Sequence, residues 1–425
     1  MGDDPARRDD SGVQPASLSP TVSELVGQFT ALWAEGGPGR PPLGRAFTRR
    51  ERSPREKALA GFVAALLAET KRPSLAAADR EAAQKRIFAA FDPFARQVMD
   101  WQDRHLEVLL GGGFDRGASD FVRMAREFDP GLSPGDVFQA CRNVWAANGL
   151  QKLLGLIVRL TPAIFAYSLL YPYTDNYLDD PGLTEETKQS FNGRLRARLE
   201  GRDAASANAR EKTIFDLVSM IEGDFDRPGH PQVFESLLAI HQAQVRSLRL
   251  LRSDGPRTEL EIVAITLEKG GTSVVADGCL AAGHLSPSQV EFLFGFGAYL
   301  QLMDDLEDVV EDGEAGLRTV FSLAAGKGPL DAVTDRTLRF GAKVLERLDG
   351  FGVPDAEPLR ELVRSSLSQG VVTTAGRFPP LYTRRYLKGL ETHSPFRFSF
   401  NNKQRRKLVK RRAAFARLFE SLSMR

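Results

Sequence analysis

The chain has little cysteine, little histidine and no long hydrophobic run, and each shortage closes off a class of function. Cys141 and Cys279 are the only cysteines in 425 residues. They stand in no CxxC or Cys/His spacing, which excludes a disulfide scaffold, argues against a zinc site of the usual kind and suits a reducing, cytoplasmic setting. His105, His230, His241, His284 and His393 are scattered and mark no histidine site. The longest charge-free apolar run, between Arg159 and Asp175, is interrupted by Pro162 and falls short of the ~20 residues that a bilayer span needs. The opening stretch MGDDPARRDDSGVQPASLSP lacks the apolar segment of a secretory signal and carries too much acid for a transit peptide. A net charge of +2 leaves no overall electrostatic footprint for nucleic acid. Long alternating strand patterns, fixed-period repeats and a glycine loop between strand and helix are also missing, so Rossmann and P-loop readings have no support.

What remains is helical periodicity. Residues 1–20 are polar and read as disordered. Apolar residues recur at three- and four-residue spacing over 22–33, 56–67 and 77–101, within a helical segment spanning 21–130 to which no role is assigned. The stretch 36–45, rich in Gly and Pro, reads as a loop. Ser133, Pro134 and Asp136 form a helix start, with serine as N-cap, proline in the first helical position and the acid three residues after the cap. Breaks are expected near 181–184, 227–231, 253–256, 284–288 and 326–329. The pattern predicts an all-α protein.

Two apolar helices then finish in carboxylates. The first is expected over 153–170 and runs into YPYTDNYLDDP, where Asp175 and Asp179 are four apart with Asp180 beside them. The second, expected as one helix from Pro287 to Asp312 with Gly313 as its stop, ends in LQLMDDLEDVVEDGE and places Asp304, Asp308, Glu311 and Asp312 on one face; Asp305 and Glu307 point elsewhere. Acids at a helix C-terminus oppose the macrodipole, at roughly 0.3–1 kcal/mol each, and like charges four apart add roughly 0.2–0.5 kcal/mol per pair. A cation should offset this. Hard oxygen donors suit Mg²⁺, which keeps several waters and is completed by substrate phosphates; a solvated acidic helix end is the other reading. Facing one another across an apolar cavity, the two ends would grip a diphosphate while its hydrocarbon tail enters the cavity.

These residues resemble the class I isoprenoid synthases, all-α enzymes with two Asp-rich motifs on facing helices. The resemblance is nearest to the bacterial class IB large terpene synthases, on Tyr171-Pro172 with Asn176-Tyr177-Leu178-Asp179-Asp180 and on Leu302-Met303-Asp304, Asp308, Glu311 and Asp312. The spacing is also similar to that of squalene and phytoene synthases. Asn176 stands where the class IB motif has its leading Asp, and Glu307 where squalene synthases carry Arg. The resemblance implies a synthase domain over 131–400, a prenyl diphosphate substrate, and catalytic Asp179, Asp304 and Asp308. It also implies Mg²⁺ held by Asp175, Asp179, Asp180, Asp304, Asp308, Glu311 and Asp312. Head-to-head coupling of two prenyl diphosphates, or a non-catalytic protein binding lipid or metal, are the alternatives.

Diphosphate also needs cations. Lys269 precedes Gly270-Gly271, a pair expected to loosen or break its helix, and Arg384, Arg385 and Tyr386 resemble the Arg-Tyr pairs that bind diphosphate in terpene synthases. Arg142 and Asn143 are further candidates, with a solvated helix face as the other explanation. Phe165, Tyr171, Phe296 and Tyr299 flank the acidic ends as candidate cavity-lining aromatics. The segment 401–425 reads as a basic carboxy-terminal helix; it suits either an anionic membrane surface or solvent, packed by its few apolar residues.

Overall fold

The computed structural model describes residues 17–35, 39–72, 77–251, 255 and 258–423. Residues 1–16 of the expected disordered terminus, 36–38 of the expected loop, most of the break at 253–256, and 424–425 lie outside them. Among the described residues every regular element is helical. In chain order these are α1 (Val22–Ala34), α2 (Arg49–Glu69), α3 (Ala77–Val98), α4 (Asp103–Gly111), α5 (Phe114–Phe128), α6 (Pro134–Leu153), α7 (Pro162–Leu178), α8 (Glu185–Leu199), α9 (Ala209–Asp224) and α10 (Pro231–Ser247). There follow α11 (Glu259–Ala282), α12 (Pro287–Glu307), α13 (Val309–Ala315), α14 (Val320–Ala325), α15 (Asp331–Glu346), α16 (Glu357–Ala375), α17 (Arg384–Glu391), α18 (Phe398–Val409) and α19 (Arg412–Ser423).

Local chemistry sets several of these boundaries. Ser133 accepts from the Asp136 amide at 3.1 Å while the Asp136 carboxylate receives the Ser133 hydroxyl at 2.7 Å, closing the expected capping box. Ser286 and Gln289 do the same for α12. Two expected boundaries moved. The apolar run 153–170 is not one helix: α6 ends at Leu153, and α7 starts at Pro162 with Thr161 as its cap. Pro162 explains this, because it supplies no N–H to a preceding turn and pushes the residue before it out of the helical region. Gly155, at φ +76°, turns the loop against Val353.

α11 lies at the centre, against α12, α10, α6, α1 and α7. Gly270 and Gly271 do not break it. They let α12 come close: a β-carbon on Gly270 would sit 2.4 Å from the Gly297 carbonyl oxygen, and one on Gly297 would sit 2.1 Å from the Gly270 oxygen. α1 belongs to the same core, since Leu25, Phe29 and Trp33 are fully buried and the Phe29 ring covers Gly295. α2 and α3 pair beside it around Phe62, Phe91 and Phe94.

Candidate functional site

α12 is the element that presents the second acidic cluster, and it ends sooner than the residue pattern predicts. Asp308 adopts φ −100° and ψ 13°, outside regular helix, and α13 begins at Val309. Glu311 and Asp312 therefore stand in the first turn of a new helix instead of the last turns of an old one, and the helix dipole now favours them. α13 runs past Gly313 to Ala315, closed by Gly316 at φ +72°.

A cavity opens between the first half of α11, the end of α12 and the start of α13, with about 180 Å³ reachable by water. Lys269, Gln301, Asp304, Asp305, Asp308 and Asp312 supply its charged and amide groups. Asp305, expected to point elsewhere, lines it too. Its carboxylate accepts from Gln301 Nε2 at 2.9 Å and from Thr266 Oγ1 at 3.3 Å.

Electrostatics in the cavity are unfavourable to the acids. Burial raises the pKa of Asp304, against which the charges of Lys269 and Arg142 act; burial also raises that of Asp308, helped by Asp304, Glu307 and Glu311. Burial and the neighbouring Asp308 and Asp304 push Asp312 up to about 6, and burial takes Asp305 to about 7. The cavity thus holds more negative charge than Lys269 neutralises.

The charge of Lys269 bears on both acidic clusters. Asp175 has its pKa raised by burial, opposed by the adjacent Tyr171 hydroxyl and by Lys269. The charges of Asp175, Asp304 and Asp179 all bear on Tyr171, so the ends of α7 and α12 share one electrostatic environment. Asp179 caps α7, exposed, its N–H bonded to the Asp175 carbonyl at 2.8 Å. Tyr171 also borders a small apolar pocket between α7, α8 and α10, where about 40 Å³ is reachable by water. Tyr167, Leu195, Leu237 and Ile240 line it.

Other candidates are placed differently. Asp180 is tied to the chain itself: Oδ2 receives Arg210 Nη1 at 2.6 Å and Oδ1 receives the Gly182 amide at 2.8 Å. Those bonds hold its pKa below the ordinary value and leave it fixing a loop. Tyr386 donates to Asp335 at 2.7 Å, stacks on Tyr382 with ring centroids 5.6 Å apart, and lies under Arg40. Arg384 and Arg385 are exposed on the same helix, and none of the three lines the acidic cavity; Thr383 anchors α17 to Asp331 instead.

Three of the four aromatics are also elsewhere. Phe165 is fully buried against Phe121 and Phe128. Tyr299 is fully buried, filling the space that a side chain at Gly341 would occupy. Phe296 stacks on Phe292, itself against Phe351. Tyr171 alone of the four sits beside the acids.

Further groups carry no local sequence signal. Arg377 and Arg405 converge on the same Glu307 oxygen at the edge of the acidic cluster. Deeper in the bundle, Asn143, one of the further diphosphate candidates, instead bridges Asp277, at 3.0 Å, and Ser168, at 3.2 Å. Asp277 is buried with no counter-cation among the described residues, and burial pushes it up to about 7. A carboxyl whose folded pKa is raised contributes stability below its unfolded value, near 4, and loses that contribution as pH rises through about 7. Asp277→Asn should therefore gain on the parent between pH 5 and 8 by an amount on the order of a few kcal/mol. Urea unfolding at both pH values measures it; a difference that does not change with pH would mean that the carboxyl is not held neutral.

Among the described residues no three His, Cys, Asp or Glu side chains converge as a ready-made metal cage. The donors that do gather are hard carboxylate oxygens carrying uncompensated charge. They fit Mg²⁺ bound by one or two carboxylates and completed by water and phosphate oxygens, and do not fit an ion enclosed by protein alone. No protein-family model, curated protein or solved structure matches the chain.

Proposed function

We propose that the chain is a class I isoprenoid synthase: an all-α bundle that ionises a single prenyl diphosphate and converts the allylic cation to a cyclic or linear terpene. The observation that carries this reading is that Asp175 on α7 and Asp304 on α12 both feel the charge of one half-buried lysine, Lys269, and both bear on Tyr171. Without a cation the cavity is electrostatically unsatisfied, and with a metal-bound diphosphate it is not.

Asp304, Asp308 and Asp312 on one side, and Asp175 with Asp179 on the other, would supply one or two carboxylates to each Mg²⁺, with water and phosphate oxygens completing the ion. When bound, Mg²⁺ supplies Lewis-acid stabilisation of the departing diphosphate. Lys269 and Arg142 add positive charge aimed where negative charge develops, from positions fixed by α11 and α6. Gln301 and Thr266 hold Asp305 in place from one side. Tyr171 joins the acidic region to the apolar pocket, its ring presenting a negative face to a developing cation. That pocket is narrow, so a prenyl chain must displace side chains such as Leu195 and Leu237 to enter.

Incubation with Mg²⁺ and prenyl diphosphates of increasing length, singly and in pairs, with mass spectrometry of the organic extract, tests the reading. A product that keeps the carbon number of its substrate is expected. Doubled carbon number would establish coupling, and no product from any substrate would leave a protein that binds lipid or metal without turnover.

A further inference from the structure

We infer that the corner between α18 and α19 is a docking surface for an anionic phospholipid membrane. From Phe398 to Phe419 the sequence contains no Asp or Glu. Lys403, Arg406, Lys410, Arg411, Arg412 and Arg417 are all exposed there, and none has an ion pair among the described residues. Several arginines elsewhere are neutralised within the fold: Arg194 is paired with Glu211, Arg198 and Arg227 with Glu222, and Arg360 with Glu357. Against a net charge of +2 for the whole protein, this one corner concentrates unspent positive charge. Lys403 and Lys407 are four apart on a helix, as are Arg406 and Lys410, an arrangement that repels itself unless an external anion is present.

The segment is not one amphipathic helix, as the sequence alone suggests. It breaks at Lys410 and Arg411. α19 spends its apolar side on the protein, with Phe419 against Phe138 and Trp145, and Glu420 paired with Arg126. What faces outward is therefore charge, with Val409 left 53% exposed at the crest. A basic ridge carrying one apolar side chain suits a lipid headgroup layer, where the charges meet phosphates and the valine meets the acyl boundary. It suits nucleic acid less, because no aromatic on the ridge is exposed to stack a base. Arg405, on the same helix, reaches Glu307 at 3.6 Å, which sets the ridge beside the edge of the acidic cavity. The inference rests on this surface alone and does not require the proposed reaction.

Cosedimentation of the full chain with vesicles of phosphatidylcholine, alone or with roughly a third phosphatidylglycerol, tests it at about 0.1 M and about 0.5 M salt. Binding is expected only to the anionic vesicles and only at the lower salt. Lys410→Gln/Arg411→Gln/Arg412→Gln should lower the partition by at least about tenfold, while Arg384→Gln/Arg385→Gln/Lys388→Gln on α17 leaves it unchanged; circular dichroism checks that each variant folds. Val409→Ser should weaken binding to vesicles and leave binding to heparin unaltered. The inference is overturned if the anionic vesicles do not retain the protein, or if the α17 variant loses as much. It is equally overturned if a single-stranded oligonucleotide binds more tightly than vesicles and Val409→Ser changes neither.

Discussion

Asp304→Asn/Asp308→Asn should remove diphosphate release from a prenyl diphosphate while making the metal-free protein more stable. Both carboxylates lie on the cavity at the end of α12, both have pKa values raised by burial, and the charge of Asp304 raises Asp308 further. At neutral pH the folded state therefore carries a charge cost that amides do not. Relief of one like-charge pair and of one acid at a helix C-terminus, Asp308 being also the N-cap of α13, is worth roughly 0.5–1.5 kcal/mol in total. Lost metal ligation acts in the opposite direction on turnover. Several kcal/mol of charge stabilisation at the leaving group corresponds to at least about a thousandfold in rate. Denaturation without Mg²⁺ and assay of released diphosphate with it read the two effects separately. A variant that is less stable and turns over normally would make the cluster structural.

Gly297→Ala should lower stability and turnover together. The new β-carbon would stand 2.1 Å from the Gly270 carbonyl oxygen and 2.9 Å from Val274 Cγ2. The first obstacle is backbone, which moves only if α11 and α12 separate. Overpacking of this kind costs about 1–3 kcal/mol, after allowance for the better helix propensity of alanine. Those two helices also carry Lys269 and Asp304, so separating them lengthens the distance across which the lysine opposes the acids, and turnover should fall together with stability. Gly193→Ala on α8 is the contrast: nothing lies within 4 Å of its would-be β-carbon, and it should stabilise by roughly 0.5–1 kcal/mol. Equal effects from the two substitutions in chemical denaturation would contradict the packing account.

The Gly270-Gly271 pair shows where sequence reasoning stopped. Two adjacent glycines weaken a helix intrinsically, and by local propensity a break was the natural expectation. The partner that turns them into a contact, Gly297, is far along the chain and visible only once α11 and α12 are packed. The cap residues behave in the opposite way. Ser133, Pro134 and Asp136, and Ser286 with Pro287, act within one turn, so their helix starts were legible as written. The carboxylate clusters were legible as clusters for the same reason, whereas Lys269 was singled out by an expected helix break that the packing of α11 on α12 removes.

Partners recruited from afar were not legible. Asp180 has the same chemistry as Asp179, and Arg210 on α9 with the Gly182 amide separates their roles. Tyr386 follows two arginines in a suggestive order, yet Asp335, Arg40 and Tyr382 claim it. Phe165 and Tyr299 have the spacing of cavity-lining rings but face the core, a distinction that helical periodicity alone does not make. Arg377 and Arg405 reach Glu307 from two separate segments, and no motif announces them.

The most direct test of the central claim is a crystal structure with Mn²⁺ in place of Mg²⁺ and a non-hydrolysable prenyl diphosphate analogue, with anomalous scattering used to place the metal. The account predicts Mn²⁺ on the Asp304, Asp308 and Asp312 side of the cavity, facing Asp175 and Asp179, with the diphosphate group against Lys269. Metal absent from both acidic ends while the analogue binds elsewhere in the bundle would contradict it.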